Sequence, residues 1–130
     1  MTAFREEVLR RRLLLVEEDR HNIDELRDAF AQQGYECEVA LDLETARNIL
    51  QERMMDLAVV NADLAGFDSE AIIEEFKGDR PEMSLVVYNG VRDRTEQRRF
   101  RRMGADSYLS EASDLKAVVR SVVNVLQKVE

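Results

Sequence analysis

Five short apolar runs, separated by longer segments of helical periodicity, restrict the folds that this chain can adopt. The runs include LLLV at residues 13–16, LAVV at residues 57–60 and LVVY at residues 85–88. Apolar runs without polar alternation are typical of parallel strands, which helices cover on both faces. YECEVAL at residues 35–41 alternates partly, which predicts an edge strand, and DSYLS at residues 106–110 is the fifth run. The pattern therefore predicts an α/β fold with a five-stranded parallel sheet.

Apolar residues recur at helical spacing in the segments between and after these runs. The predicted helices cover about residues 20–33, 43–53, 69–77, 93–103 and 114–128. Asp42 is the predicted N-cap of the second helix, and Gly34 and Gly104 are predicted to end the first and fourth. Gly78 and Pro81 are predicted to close the third helix.

The composition limits the class of protein. A length of 130 residues with 45% hydrophobic content suits one domain, residues 1–130, with residues 1–10 as a lead-in segment. A net charge of −8 argues against a membrane surface or nucleic acid as the default partner. The single cysteine, Cys37, excludes an internal disulfide and a cysteine-based zinc site. The early apolar run is too short for a signal peptide, so we expect a reducing, cytoplasmic location.

Polar residues follow the predicted strands at their carboxyl ends, where doubly wound sheets bind ligands. Glu17 and Glu18 follow the first strand and Asp63 follows the third, so three carboxylates are expected near one edge. Clustered carboxylates need a cation or shifted pKa values, and a weak Mg²⁺ site is one interpretation. An exposed acidic rim, which is common in a chain of net charge −8, is the alternative.

Four segments together resemble a response-regulator receiver domain of the CheY-like type. They are LLLVEED, DLAVVNADLAGFDS, LVVYNG and GADSYLSEASDL, in this order and spacing. The resemblance covers about residues 12–126 and implies a flavodoxin-like, doubly wound sheet of strand order 2-1-3-4-5. Receivers transfer a phosphoryl group onto one of their own aspartates, so the resemblance also implies where the reacting groups would lie.

The residues at those positions depart from the family pattern. The acidic pair that holds Mg²⁺ falls on Glu17 and Glu18, each one methylene longer than the usual aspartate. The phosphoacceptor aspartate falls on Asn61. The threonine or serine that binds the phosphoryl group falls on Asn89, and the lysine falls on Glu111. The resemblance therefore implies a degenerate phosphorylation site.

Two further positions complete the comparison. The residue whose backbone carbonyl would bind the metal is Asp63, and the aromatic switch position is Tyr108, which is intact. An amide is a poor nucleophile, and Glu111 would repel a phosphoryl group. We therefore predict a pseudo-receiver that is not an enzyme, needs no cofactor and binds protein partners of a signalling pathway. Phosphorylation of a displaced acid such as Asp63 is the catalytic alternative.

The last predicted helix carries an apolar stripe that is wider than a minimal core-facing stripe. A well-buried packing helix explains it, and an interface that includes Val123 or Val125 at the margin explains it equally well. In the resembled family, the face formed by the fourth helix, fifth strand and fifth helix commonly carries dimer or partner contacts. Tyr108 lies on that face, and a homodimer through it is a further prediction.

The segment of residues 91–104 is rich in arginine in an otherwise acidic chain. Its six arginines are Arg92, Arg94, Arg98, Arg99, Arg101 and Arg102. The favoured interpretation is pairing with an acidic protein partner or with acids of this chain or its copy, for which Arg98, Arg99, Arg101 and Arg102 are the interface candidates. A plain solvated helix is the second. A nucleic-acid-binding module through residues 92–102 is the least favoured, because no aromatic platform accompanies the arginines.

Overall fold

The computed structural model describes residues 10–128 of the chain, in which five strands alternate with five helices. The strands are β1 (Arg12–Val16), β2 (Glu36–Ala40), β3 (Leu57–Asn61), β4 (Ser84–Gly90) and β5 (Ser107–Ser110). The helices are α1 (Arg20–Gln32), α2 (Leu43–Glu52), α3 (Ser69–Asp79), α4 (Arg94–Met103) and α5 (Leu115–Lys128). The predicted lead-in segment lies outside the described residues, except for its last residue, Arg10.

All five strands are parallel and lie in the order β2-β1-β3-β4-β5, which confirms the predicted doubly wound sheet. The continuous apolar runs form β1, β3 and β4 in the interior of the sheet, and every residue of β3 is buried. The partly alternating run forms β2, which lies at an edge as predicted. Period-two alternation then divides the side chains of each strand between the two faces.

Each face of the sheet carries its own core. Leu14, Val16, Ala58 and Val60 point to the face that α2, α3 and α4 cover. Leu13, Leu15, Leu57 and Val59 point to the face that α1 and α5 cover. The helices contribute Ala46, Leu50, Ile73, Phe76 and Phe100 to the first core, and Leu26, Phe30, Val118 and Val122 to the second.

Aspartate side chains begin the first four helices. Asp42 accepts a hydrogen bond from the backbone N–H of Thr45 at 2.7 Å, which confirms the predicted N-cap. The other three caps follow the same pattern and are Asp19, Asp68 and Asp93. Such a carboxylate satisfies an amide of the first turn and lies at the positive end of the helix dipole.

Helix α3 is two residues longer than predicted, because Gly78 lies inside it and does not end it. The helix ends before Pro81, whose ring disfavours helical backbone at Arg80, and Arg80 has φ −137° and ψ 68°. Proline, and not glycine, is therefore the residue that sets this boundary. No helix within residues 10–128 is long and apolar enough to cross a membrane.

The apolar stripe of α5 is mainly a packing surface. Val118, Val122 and Leu126 are buried, and Val125 is only 8% exposed. The side chain of Val125 is therefore not available to an interface. Val123 is half-buried and lies at the margin of the apolar stripe. Val125 is not at the margin of the stripe, because the core facing α5 is wide enough to include it, and the interface itself stays a prediction.

Candidate functional site

Three neighbouring strands bring one row of polar side chains to the carboxyl edge of the sheet. Leu15, Val59 and Val86 lie side by side in the register of β1, β3 and β4. Two residues further along each strand, the same row continues as Glu17, Asn61 and Tyr88. Because the row keeps the alternation of the core, all three side chains point to the face covered by α1 and α5.

Glu17 is fully buried, and its carboxylate is surrounded by hydrogen-bond donors. The backbone N–H groups of Glu18 and Asp19 donate to Oε2 at 2.9 and 3.0 Å. The Nδ2 of Asn22 donates to Oε1 at 3.3 Å, and the hydroxyl of Tyr88 donates to the same oxygen. A carboxylate removed from water is tolerated only with such compensation. These donors are all neutral, so the protein itself satisfies this buried acid without a cation.

Asn61 links Glu17 to the next layer of the site. Its Nδ2 lies 3.0 Å from both Oε1 and Oε2 of Glu17. Its Oδ1 accepts from the backbone N–H of Asp63 at 2.8 Å and from Nδ2 of Asn89 at 3.1 Å. The partners fix the orientation of the amide, because only the NH₂ end can donate to a carboxylate. An aspartate at this position would offer Glu17 no donor.

Sequence patterns assign Tyr88 to the fourth strand and give it no role in the site, yet its hydroxyl is part of the site. Its ring belongs to the core against α1 and α5, and the residue is 4% exposed. Burial raises the pKa of the Tyr88 phenol well above its ordinary value, and the hydrogen bond to Glu17 raises it further. The phenol therefore stays protonated and remains a donor. The sequence contains one signal for this role. Tyr88 lies two positions after the core residue Val86, so both side chains point to the same face, and Tyr88 is in register with Asn61.

Asn89 adopts a left-handed backbone conformation with φ 59° at the end of β4. Asparagine tolerates this conformation better than most residues with a Cβ. The conformation accompanies the hydrogen bond to Asn61, so the predicted proximity of the two asparagines is confirmed.

The predicted metal ligands do not come together. Glu17 is buried with its oxygens occupied by protein donors, whereas Glu18 and Asp63 are exposed. Among residues 10–128, no group of three or more histidine, cysteine, aspartate or glutamate side chains is placed to hold a metal ion. The donor set around Glu17 therefore does not fit Mg²⁺ as arranged, because amide and phenol donors point at the oxygens that a cation would need.

Glu111 forms an ion pair with Arg92 on the surface. Both side chains are more than half exposed. They lie at a cavity of about 550 Å³ that Asp63, Ser69 and Asn89 also line. The negative charge predicted near the site is therefore present, but an arginine of the same chain partners it.

Tyr108 lies inside the molecule, with 3% of its surface exposed. Its ring centroid is 4.9 Å from that of Phe100. Its hydroxyl lies 3.0 Å from Oγ of Ser69 and accepts from the backbone N–H of Val91 at 3.3 Å. A Cβ at Gly90 would lie 2.5 Å from the Tyr108 ring, so the inward position requires glycine there. In this conformation the side chain of Tyr108 is buried and is not available to contact a partner at the predicted interface.

The predicted arginine cluster divides into two groups. Arg99 pairs with Glu70 of α3 and Glu96 of its own helix, and its guanidinium lies 4.8 Å above the ring of Phe100. Arg98, Arg101 and Arg102 are exposed on the surface of α4. Arg99 is thus part of the contact between α3 and α4, whereas the other three face solvent.

Known protein families provide an independent test of the resemblance. The model of the family described as "Response regulator receiver domain" matches residues 13–123. The chain belongs to this receiver family. Receivers of this kind serve two-component signalling, and those of response regulators interact with signalling partners.

Curated relatives are response regulators of greater length. The chain is 27% identical over 113 residues to the photosynthetic apparatus regulatory protein RegA of Rhodobacter capsulatus, covering 87% of this chain and 61% of RegA. It is 24% identical over 118 residues to the TorCAD operon transcriptional regulatory protein TorR of Escherichia coli K12, covering 91% of this chain and 51% of TorR. The receiver therefore spans about half to three-fifths of these relatives.

Solved structures of receivers support the fold. A CheY-like receiver domain protein from Methanospirillum hungatei superposes with a TM-score of 0.78 at 19% identity, covering 92% of this chain and 95% of that one. A two-component response regulator from Clostridium difficile gives a TM-score of 0.80 at 16% identity, covering 93% and 99%. An orphan response regulator of H. pylori gives 0.77 at 20% identity, covering 89% and 96%.

Proposed function

We propose that this receiver signals through protein contacts and is not phosphorylated on an aspartate. The observation that carries the proposal is the amide of Asn61, which donates to both oxygens of the buried Glu17. Phosphoryl transfer to a receiver needs an anionic oxygen aligned with the donor phosphorus. Asn61 supplies a neutral amide at the end of β3, and its oxygen already accepts two hydrogen bonds.

The surroundings of Asn61 support a structural role for this side chain. A phosphoryl group at the end of β3 would need cationic compensation. Glu111, an acid, occupies the position where the family pattern has a lysine. The nearby cation Arg92 forms an ion pair with Glu111. The residue that follows β5 therefore supplies no positive charge to stabilise a phosphoryl group.

The inward position of Tyr108 supports an activity that does not depend on modification. Its hydroxyl contacts Ser69 of α3 and the backbone after β4, and it does so in the unmodified chain. Gly90 removes the steric barrier to this position. We propose that these contacts fix one conformation of the loops around the site, and that a partner recognises that conformation.

Asp63 carries the catalytic alternative. Its carboxylate is exposed and lines the cavity beside Asn89 and Tyr108. Its backbone N–H donates to Asn61, which places the side chain beyond the end of β3. No cation lies beside it in the described contacts of residues 10–128, so we favour the interaction role over phosphorylation of Asp63.

The test is the intact mass of the chain after incubation with acetyl phosphate and Mg²⁺. We expect the unmodified mass, with a receiver that has the family's aspartate at the position of Asn61 as the positive control for the donor. A stoichiometric adduct of one phosphoryl group would contradict the proposal. The variant Asp63→Asn assigns such an adduct, because its loss in this variant would establish the displaced acid as the acceptor.

A further inference from the structure

Positive charge is concentrated in the last third of this acidic chain. Residues 92–128 carry nine arginines and lysines against five aspartates and glutamates, a net charge of +4. The chain as a whole carries −8, so the remaining residues carry −12. Such a separation creates a local positive potential on a molecule that repels polyanions elsewhere.

Four arginines of α4 form one ridge, which we call the arginine ridge. Arg94, Arg98, Arg101 and Arg102 are all exposed, and their spacing places them within about 100° of the helix surface. Phe100, the buried residue of α4, points away from this arc into the core. The ridge therefore faces solvent along a length of about 12 Å.

The arginine ridge has no acidic partner within residues 10–128. None of its four guanidinium groups forms an ion pair or side-chain hydrogen bond there, whereas Arg92 and Arg99 on the same segment are paired. Four like charges on adjacent turns repel one another. A surface of this kind is stabilised when another molecule supplies the negative charges.

The acids of the same region are already engaged. Glu96 pairs with Arg99, Glu111 with Arg92, and Asp106 with Lys77. Asp93 and Asp114 accept backbone N–H groups at the starts of α4 and α5. Helix α5 contains no acid, and its exposed charged residues are Lys116, Arg120 and Lys128. A symmetric pairing of two copies through α4, β5 and α5 would therefore oppose cationic surfaces without complementary acids.

We propose that the arginine ridge binds a protein partner that presents a row of carboxylates. Apolar side chains at the edges of the region suit a protein interface, because Met103, Leu109 and Val123 are half-buried. The aromatic residues of the region, Phe100 and Tyr108, are buried and offer no stacking surface to bases. A net charge of −12 on the rest of the chain also opposes a long phosphate backbone. This inference specifies the partner of the function proposed above.

The test is fluorescence anisotropy with a labelled poly-glutamate peptide as the probe. We expect binding that weakens as salt rises, and that weakens about tenfold in Arg98→Gln/Arg101→Gln, which removes two of the positive charges that would contact the peptide. The matched control is Arg20→Gln/Arg27→Gln, which makes the same change in net charge on the exposed surface of α1. We expect the control to bind as the unchanged protein does.

Three outcomes would overturn the inference. The first is equal weakening in both double variants, or no salt-dependent binding of the peptide. The second is tighter binding of a labelled double-stranded oligonucleotide, which would make the ridge a nucleic-acid site. The third is a dimer in sedimentation that Arg98→Gln/Arg101→Gln abolishes, which would make it a self-interface. None of these results bears on whether the chain is phosphorylated, which the intact mass tests separately.

Discussion

Asn61 and an aspartate differ by one NH₂ group, yet they place opposite demands on Glu17. The amide donates to a buried carboxylate, whereas a carboxylate in its place would oppose another at hydrogen-bond distance. The chemistry of the site at the scale of single residues is therefore set by a pair and not by Asn61 alone. A buried Glu17 and an Asn61 that donates to it form a self-sufficient unit.

The variant Asn61→Asp tests this pairing. We expect it to lower the free energy of unfolding by about 2–3 kcal/mol at neutral pH, since it removes a donor and adds a like charge. The carboxyl group of the introduced aspartate, placed beside another carboxylate, would have a folded-state pKa above its unfolded value. Its destabilisation should thus be small at about pH 5 and grow as pH rises towards about pH 8.

Urea unfolding at both pH values provides the measurement for Asn61→Asp. Asn61→Ala is the control without added charge, because it removes the donor to Glu17 together with the oxygen that accepts from Asp63 and Asn89. Its deficit should increase less between the two pH values than that of Asn61→Asp. An Asn61→Asp protein as stable as the unchanged chain at both pH values would show that Glu17 does not depend on the amide.

Tyr88→Phe tests another side-chain donor to Glu17. The change keeps the buried ring and removes the hydroxyl, so we expect a loss of about 1–3 kcal/mol in the free energy of unfolding. Because the folded pKa of Tyr88 is raised, this contribution should persist through neutral pH and decline above about pH 10, where the unfolded phenol ionises.

Absorbance titration of the folded protein checks the protonation state of Tyr88. The chain has three tyrosines, and below about pH 11 we expect the same phenolate signal with and without the Tyr88→Phe change. A signal reduced by one phenol in the variant would mean that Tyr88 titrates normally and is not the donor described above.

At the scale of elements, the position of Tyr108 depends on how closely β4 and β5 approach. Gly90 leaves room for the ring, and Ser69 at the start of α3 meets its hydroxyl. Three elements thus converge on one side chain. A single methyl group at position 90 is enough to test whether they hold the ring inside.

Gly90→Ala should displace Tyr108 towards solvent, because the new Cβ would lie 2.5 Å from the ring. The chain has no tryptophan, so tyrosine fluorescence can be read directly. We expect stronger acrylamide quenching in Gly90→Ala than in the unchanged protein. The gain should vanish when Tyr108→Phe is added, and quenching that does not change would indicate that the loops accommodate the methyl group.

Local sequence patterns predicted the elements well, because strand and helix periodicities depend on neighbours in the chain. They also placed Asn61 beside Asn89, since adjacent parallel strands end at one edge. They did not predict that Glu17 is buried or that Tyr88 donates to it. Those contacts depend on the register between strands and on side-chain direction, which no single segment encodes. The ion pair between Glu111 and Arg92 was not predicted for the same reason, because the two residues lie on different loops.

At the scale of the whole molecule, this receiver keeps the five-stranded sheet of its family while its site is satisfied internally. The amide of Asn61 and the phenol of Tyr88 both donate to the Glu17 carboxylate, and Tyr108 is inside in the unmodified chain. If these contacts already define the signalling conformation, a phosphodonor should change neither the covalent structure nor the fold.

The most direct test is a two-dimensional amide NMR spectrum of the chain recorded before and after addition of acetyl phosphate and Mg²⁺. We predict that the two spectra superimpose, including the signals of Asn61, Asn89, Gly90 and Tyr108. A new set of signals at these residues, formed in proportion to the phosphodonor and lost on its hydrolysis, would contradict the account.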